Sequence, residues 1–427
     1  MTDLLAARGR LQERHARPRP PHPPPHPPRR LPPGPARTPR RDQRWIALPA
    51  VVAVLCGIGV MMVLSASSVQ ALRSYGGPWV FFIRQVLWVA AGGLALFLAA
   101  KVDYRRWRKV AVRLLHLCAA MLVLVLIPGI GVSVGGSSRW LGVGELRFQP
   151  SEVTKLALLL FAADLIVRRT ERDGQQAVLV RPLILVTGLI GLLVMLQPDM
   201  GTGMILVLLV MVVLFVGGVP MARMMGLLAG WGAGAVVLGL LEGYRRARLL
   251  AFMNPWEDPL NTGYQIAQSL VALSTGHLSG VGLGASRAKW GFLPNAHTDF
   301  IFAIIGEELG LIGTVLVVLL FAAFAVFGIR AALRAPDRFG TLVAAGVTTW
   351  VVGQAFINLG AVIGILPVTG VPLPFVSFGG SALVITMAAV GILVNVARQG
   401  APARRPVPAP GRDRVPTGRL FPLGAGG

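Results

Sequence analysis

The sequence predicts an all-α integral membrane protein of about ten transmembrane helices, with one large extracytoplasmic loop between spans seven and eight. Three observations carry this. Of 427 residues, 54% are hydrophobic and 14% charged, whereas soluble domains carry roughly a quarter charged residues; lipid is the solvent such a chain suits. Apolar runs recur at near-spanning length. The basic residues fall in the two tails and in alternate short loops, the pattern of cytoplasmic segments.

Residues 1–44 hold twelve prolines and eleven arginines against Asp3, Glu13 and Asp42. With almost no bulky apolar side chains, such an arm cannot bury enough surface to order itself. It is not a signal peptide, because the first apolar run starts only near Trp45 and continues for about 19 residues, too long for a leader's core. A membrane domain follows over 45–399, then a second disordered tail over 400–427. Residues 1–44 and 398–427 supply +8 and +5 of the net +23. That placement excludes nucleic acid as the natural partner and points to anionic lipid headgroups. Cys56 and Cys118 lie inside apolar runs, so a disulfide framework and a zinc cluster are excluded as organising devices.

Candidate spans lie near 46–66, 79–100, 109–129, 152–167, 180–197, 200–217, 222–241, 300–330, 342–364 and 382–398. The pair at 180–217 demands the tightest turn, at Gln197-Pro198-Asp199-Met200-Gly201. Lys101, Arg105, Arg106, Arg108 and Lys109 follow span two; Arg168, Arg169 and Arg172 follow span four; Arg330, Arg334 and Arg338 follow span eight. An even number of spans puts these loops and both termini on one side, the cytoplasm, in a multi-pass inner-membrane arrangement. Residues 242–299 then form an extracytoplasmic loop too long for a simple connector.

The outward segments hold the chemistry-bearing side chains. In the first, Arg139 and Trp140 lead into Glu152 and Lys155, which share a helix face at the membrane boundary. Either they line a cavity or they pair internally and fix packing. Asp199, in the tight turn, joins the same face. The long loop carries Arg245, Arg246 and Arg248, then Asp258, Tyr264 and Gln265, then Lys289, His297, Thr298 and Asp299. An Arg/Lys-rich outer surface suits a phosphate or pyrophosphate; a membrane-surface anchor is the plainer reading of the three arginines. Asp299 sits where the loop enters span eight, either as a partly desolvated base or as a helix N-cap. One of Glu307 and Glu308 is expected to pair with a basic residue. The segment 367–381, with three prolines and three glycines around Ser377, Gly379 and Gly380, cannot be regular helix. Irregular backbone at membrane depth is tolerated only against protein or a water-filled cavity, so this segment reads as a cavity wall.

The strings GSSRWLGVGELRFQPSEVTKL, QPDMGT, FMNPWEDPLNTGYQIAQS, GVGLGASRAKWGFLPNAHTDFIFAIIGEELG and LPVTGVPLPFVSFGGSALV together resemble the FtsW/RodA/SpoVE family, the SEDS proteins, over about 46–398. The resemblance implies a ten-span enzyme that polymerises lipid II, the undecaprenyl-pyrophosphate-linked disaccharide pentapeptide, on the outer face of the membrane. The acceptor's 4-hydroxyl would attack C1 of the donor sugar and expel undecaprenyl pyrophosphate with inversion. Asp299 in HTDF matches the family's essential aspartate and is implied as the base. Arg139, Lys155 and the loop arginines are candidates for the pyrophosphate. The remaining polar residues named above are candidates for substrate contact. No cofactor is demanded; a divalent cation, Mg or Mn, is compatible. Asn295 stands where the family usually has Glu or another polar residue, which removes one possible acidic neighbour of Asp299 and weakens a metal site there, and Phe378 stands where it usually has Tyr. The resemblance further implies a class B penicillin-binding transpeptidase and divisome proteins as partners. The Arg/Pro-rich arm and the LPNAHTDFIFAIIGEELG wording favour an FtsW-like division enzyme over a RodA-like elongation enzyme. A lipid II flippase or transporter is the rival reading, although the repeated halves expected of a transporter are not detected.

Overall fold

A computed structural model describes residues 43–134, 137–143, 146–173, 180–241 and 252–400. Residues 1–42 and 401–427 of the tails expected to be disordered, and Arg245, Arg246 and Arg248, lie outside the described residues. After a single turn over Gln43–Ile46 come α1 (Ala47–Tyr75), α2 (Val80–Lys101) and α3 (Tyr104–Leu126). Three short strands follow, β1 (Val132–Val134), β2 (Ser137–Val143) and β3 (Leu146–Phe148). Then come α4 (Pro150–Asp173), α5 (Val180–Leu196), α6 (Met200–Val216), α7 (Met221–Leu241), the loop helix α8 (Tyr264–Thr275), α9 (Ile301–Leu333), α10 (Arg338–Val362) and α11 (Gly380–Gln399). All ten expected spans coincide with helices. Six of them (α1, α2, α3, α9, α10 and α11) are long and apolar enough to cross a membrane, at mean hydropathies of 1.5 to 2.8.

The helices divide by which faces they bury. In α4, Leu156 to Leu160 are all buried, and α10 and α11 bury residues right around their circumference. A helix apolar on every side and buried on every side belongs at the centre of a bundle. By contrast α2 exposes Ile83, Leu87, Leu94 and Leu98, and α9 exposes Leu311, Ile312, Leu316 and Leu319. Those side chains form a lipid-facing surface, whose helices need no polar outer stripe.

Helix ends follow ordinary capping rules. Asp103, Asp199 and Asp337 each accept a backbone N–H, from Arg105, Thr202 and Gly340, at the starts of α3, α6 and α10. α1 stops at Gly76 with φ +73. The basic loops meet at one end of the bundle, as their spacing requires. Tyr104 Oη donates to Asp337 at 2.6 Å, Arg105 bonds Asp337 and Gln399, Arg108 pairs with Asp164 at 2.7 Å, and Arg338 donates to the Gly217 carbonyl. The strands, the 197–199 turn, the described part of the long loop and the 363–379 segment gather at the other end.

Two features were not expected from the sequence. The 132–148 stretch forms an antiparallel β1-β2-β3 sheet with a bulge between Val132 and Ser133. α9 is broken at Gly310, whose φ of +67 and ψ of −160 are not helical. The break is filled by loop backbone: Val281 and Gly282 donate to the carbonyls of Glu307 and Glu308, while Leu311 and Ile312 donate to those of His277 and Leu278. Two carbonyls before the break and two N–H groups after it are thereby hydrogen-bonded to the loop, as an interrupted helix within a membrane span requires.

Candidate active site

Asp299 lies at the start of α9, half-buried. The loop ahead of it is shaped by Asn295, whose φ of +57 is a conformation Asn tolerates better than a longer acid would. The Asn295 carbonyl accepts from the backbone of Thr298 and Phe300, closing the turn that delivers His297, Thr298 and Asp299. Each of their three carbonyls has a donor. Phe378 N–H reaches His297 O at 3.0 Å, Ser377 Oγ reaches Thr298 O at 2.6 Å, and Asn358 Nδ2 reaches Asp299 O at 2.7 Å. The carboxylate itself faces the 367–381 segment, since a Cβ placed on Gly370 would lie 3.8 Å from its Oδ2.

That segment is a wall, as its prolines and glycines require. Phe375 is held at φ +66 and Gly370 at φ +74. A bulky residue in the left-handed region costs about 1–3 kcal/mol and persists only when its surroundings over-determine it. Here they do: Phe375 is buried against Phe324, and α1 comes so close that a Cβ on Gly59 would meet Phe375 O at 2.6 Å. Gly380, φ +38, faces Trp88, and Gly379 caps α11.

His297 is packed between Phe81 and Phe378, at centroid distances of 4.9 and 5.9 Å, and its Nδ1 has no hydrogen-bond partner. Burial lowers its pKa to about 4, so at neutral pH the ring is uncharged.

The first outward segment joins this wall from the other side. Arg139 on β2, beside half-buried Trp140, donates to the carbonyls of Gln197 and Pro198 and pairs with Asp199. Asp199 also accepts from Gln149 and Ser151. A Cβ on Gly201 would overlap Val371 and crowd the Thr369 carbonyl, so this turn abuts the wall directly. The Gln149 N–H completes the junction by donating to Ser381 Oγ.

Glu152 and Lys155 form a buried ion pair at 2.8 Å, with side chains 4% and 1% exposed. Lys155 donates to Gln354 at 3.1 Å and lies over the Trp350 ring. The geometry is that of the internal pair, acting on the wall through Gln354, which donates to Pro372 O. Lys289 is likewise buried: it bonds Ser65 and Gly284 O and pairs with Glu308 at 3.5 Å, the acid–base pairing expected of one of the two glutamates. Glu307 accepts from Ser286 Oγ and from the backbone N–H groups of Arg287 and Ala288.

Asp258 is half-buried and closes a turn; the Thr262 N–H and the Asn261 side chain hold its carboxyl below the usual range. Half-buried Tyr264 and Gln265 begin α8, which rests on the end of α10 through Ser269 Oγ to Val362 O. No contact links Asp258, Tyr264 or Gln265 to Asp299 among those described. Asn358, Gln354 and Gln85, which donates to Ser377 O, were missed by the sequence reading. Their signal was a lone amide inside an apolar span, the kind of residue that faces a bundle interior. Among the described residues no three His, Cys, Asp or Glu side chains gather to hold a metal.

A family model described as a cell cycle protein and covering FtsW, RodA and SpoVE matches residues 46–401. Stage V sporulation protein E of Bacillus subtilis is 42% identical over 364 residues, 84% of this chain and 99% of that protein. A probable peptidoglycan glycosyltransferase FtsW of Geobacter metallireducens is 40% identical over 351 residues, 82% of this chain and 93% of that one. Among solved structures, a chain of a peptidoglycan synthase complex that coordinates polymerization and crosslinking is similar with a TM-score of 0.66, 30% identity and coverage of 83% and 97%. The rod shape determining protein RodA of Thermus thermophilus is similar with a TM-score of 0.60, 28% identity and coverage of 82% and 95%.

Proposed function

Since the chain belongs to the FtsW/RodA/SpoVE family of cell cycle proteins and is a multi-pass membrane peptidoglycan glycosyltransferase, we propose that it polymerises lipid II at the outer face of the cytoplasmic membrane with Asp299 as its base. The observation that carries this is the setting of Asp299. It is a half-buried carboxylate at the end of the bundle away from the basic loops, on a backbone pinned at three successive carbonyls, against an irregular wall.

The chemistry follows from that placement. Asp299 takes the proton of the acceptor's 4-hydroxyl as the oxygen attacks C1 of the donor sugar. The C1–O bond to the diphosphate breaks, undecaprenyl pyrophosphate leaves, and configuration at C1 inverts. A base placed this way supplies about a hundred- to ten-thousandfold. The leaving diphosphate calls for cations nearby. Arg139 spends Nε on Gln197 and one Nη on Pro198, and its other Nη lies 3.8 Å from Asp199; the N–H groups of the fork not given to the two carbonyls remain for an oxyanion, and it is the cation proposed to meet the pyrophosphate.

The basic end and both termini face the cytoplasm by the positive-inside rule. A septal, division-linked role is favoured by relatives named FtsW, and a class B penicillin-binding transpeptidase is the partner that would crosslink the product, with other divisome proteins around it.

The test is to reconstitute the full chain in vesicles and supply lipid II carrying a fluorescent label. The expected result is labelled glycan strands. Label crossing the bilayer with no polymer formed would make the protein a transporter and end the enzyme reading.

A further inference from the structure

We infer that Asn358, on α10, is a positioning residue for the transferase reaction, its side-chain amide fixing the backbone of Asp299 to the cavity wall. This rests on Asp299 being the base. Asn358 is 2% exposed, and its Nδ2 donates both to Asp299 O at 2.7 Å and to Val371 O at 2.8 Å. An amide nitrogen has two N–H groups, and here each goes to a different segment, so one side chain staples the catalytic turn to the wall. One helical turn earlier, Gln354 repeats the device: its Nε2 donates to Pro372 O at 2.9 Å while its Oε1 accepts from Lys155 and Trp350. Two amides at i and i+4 thus grip adjacent carbonyls, Val371 and Pro372, from one face of α10.

Among the described residues the carbonyls of the catalytic turn have three donors, and two of them, Ser377 and Phe378, lie on the irregular wall itself. Asn358 is the anchor that belongs to a spanning helix, and α10 is among the most buried helices of the bundle. It therefore sets where the turn sits relative to the rigid part of the molecule. Without it, the Val371 carbonyl and the part-buried Asp299 carbonyl lose this donor, and the hydrogen bond that ties the turn to α10 is gone. A displacement of about 1 Å at a reacting group costs about a hundredfold in rate.

The test uses the full chain and lipid II polymerisation kinetics. Asn358→Leu, similar in size and without donors, is expected to lower kcat about a hundredfold while KM stays within about twofold. Because Asn358 acts through Asp299, adding Asn358→Leu to Asp299→Asn should slow the enzyme no further. A folded Asn358→Leu with wild-type kcat, a loss expressed in KM alone, or a double variant showing the product of both losses each overturns the proposal. Should Asn358→Leu fail to fold, Asn358→Ser decides it: a shorter donor cannot span both carbonyls, so kcat should fall about tenfold, and an unchanged kcat overturns it. Wild-type activity in Asp299→Asn alone would overturn the base assignment instead, which keeps the two failures apart.

Discussion

His297 sits two residues before the proposed base, yet burial between Phe81 and Phe378 keeps it neutral. Its pKa falls from an ordinary 6.5 to about 4 on folding. Between those values the unfolded chain binds a proton that the folded chain refuses, so stability rises with pH across that window. The contribution is complete above about 6.5 and is lost as pH falls toward 4. The expected outcome is a thermal midpoint that declines from pH 6.5 to 4 in the wild type and declines less in His297→Gln; equal slopes would show the ring to be hydrated. At this scale the sequence was partly legible. Asp299, Ser377 and the glycines of 367–381 stood out because charge or broken periodicity marks them. Asn358 and Gln354 did not, because a single amide in an apolar run carries no periodic signal, and its partners lie 59 residues (Asp299) and 18 residues (Pro372) away in the chain. Lys155 and Lys289 read as cations for a ligand from the sequence, with an internal Glu152–Lys155 pair as the other reading; the structure gives Lys155 to Glu152 and Lys289 to Glu308, and only three dimensions identify that second partner.

Among the elements, α9 departs most from its simple reading. Hydropathy predicted one continuous span, and the chain breaks at Gly310 so that 277–282 dock into the gap. Gly310 occupies a region open essentially to glycine alone, and a Cβ there would meet Gly280 N at 2.4 Å and Leu278 O at 2.5 Å. Gly310→Ala should therefore destabilise the protein by more than the roughly 1–3 kcal/mol that such a backbone conformation costs a non-glycine residue, read as a lowered thermal midpoint of the purified protein. A variant as stable as the wild type would mean that the helix runs through unbroken. The break is illegible in the sequence because the groups that satisfy it come from the loop, not from the helix. The β1-β2-β3 sheet escaped for a different reason: its strands are three, seven and three residues long, too short for alternation to rise above noise.

At the scale of the whole molecule, the ten helices were legible because lipid imposes one requirement on each span, an apolar run of fixed length. The sidedness of the loops followed from charge, and the bundle indeed gathers Arg105, Arg108, Arg168 and Arg338 at one end and the pinned Asp299 turn at the other. What no sequence pattern reported is how the outer segments lean on one another, Arg139 on the 197–199 turn, that turn on the wall, and the wall on Asp299. That convergence serves the single carboxylate proposed as the base. The most direct test of that role is the rate of glycan polymerisation from lipid II by purified Asp299→Asn beside the wild type. If Asp299 is the base, the rate falls about a hundred- to ten-thousandfold with lipid II binding retained; polymer made at the wild-type rate would rule that role out.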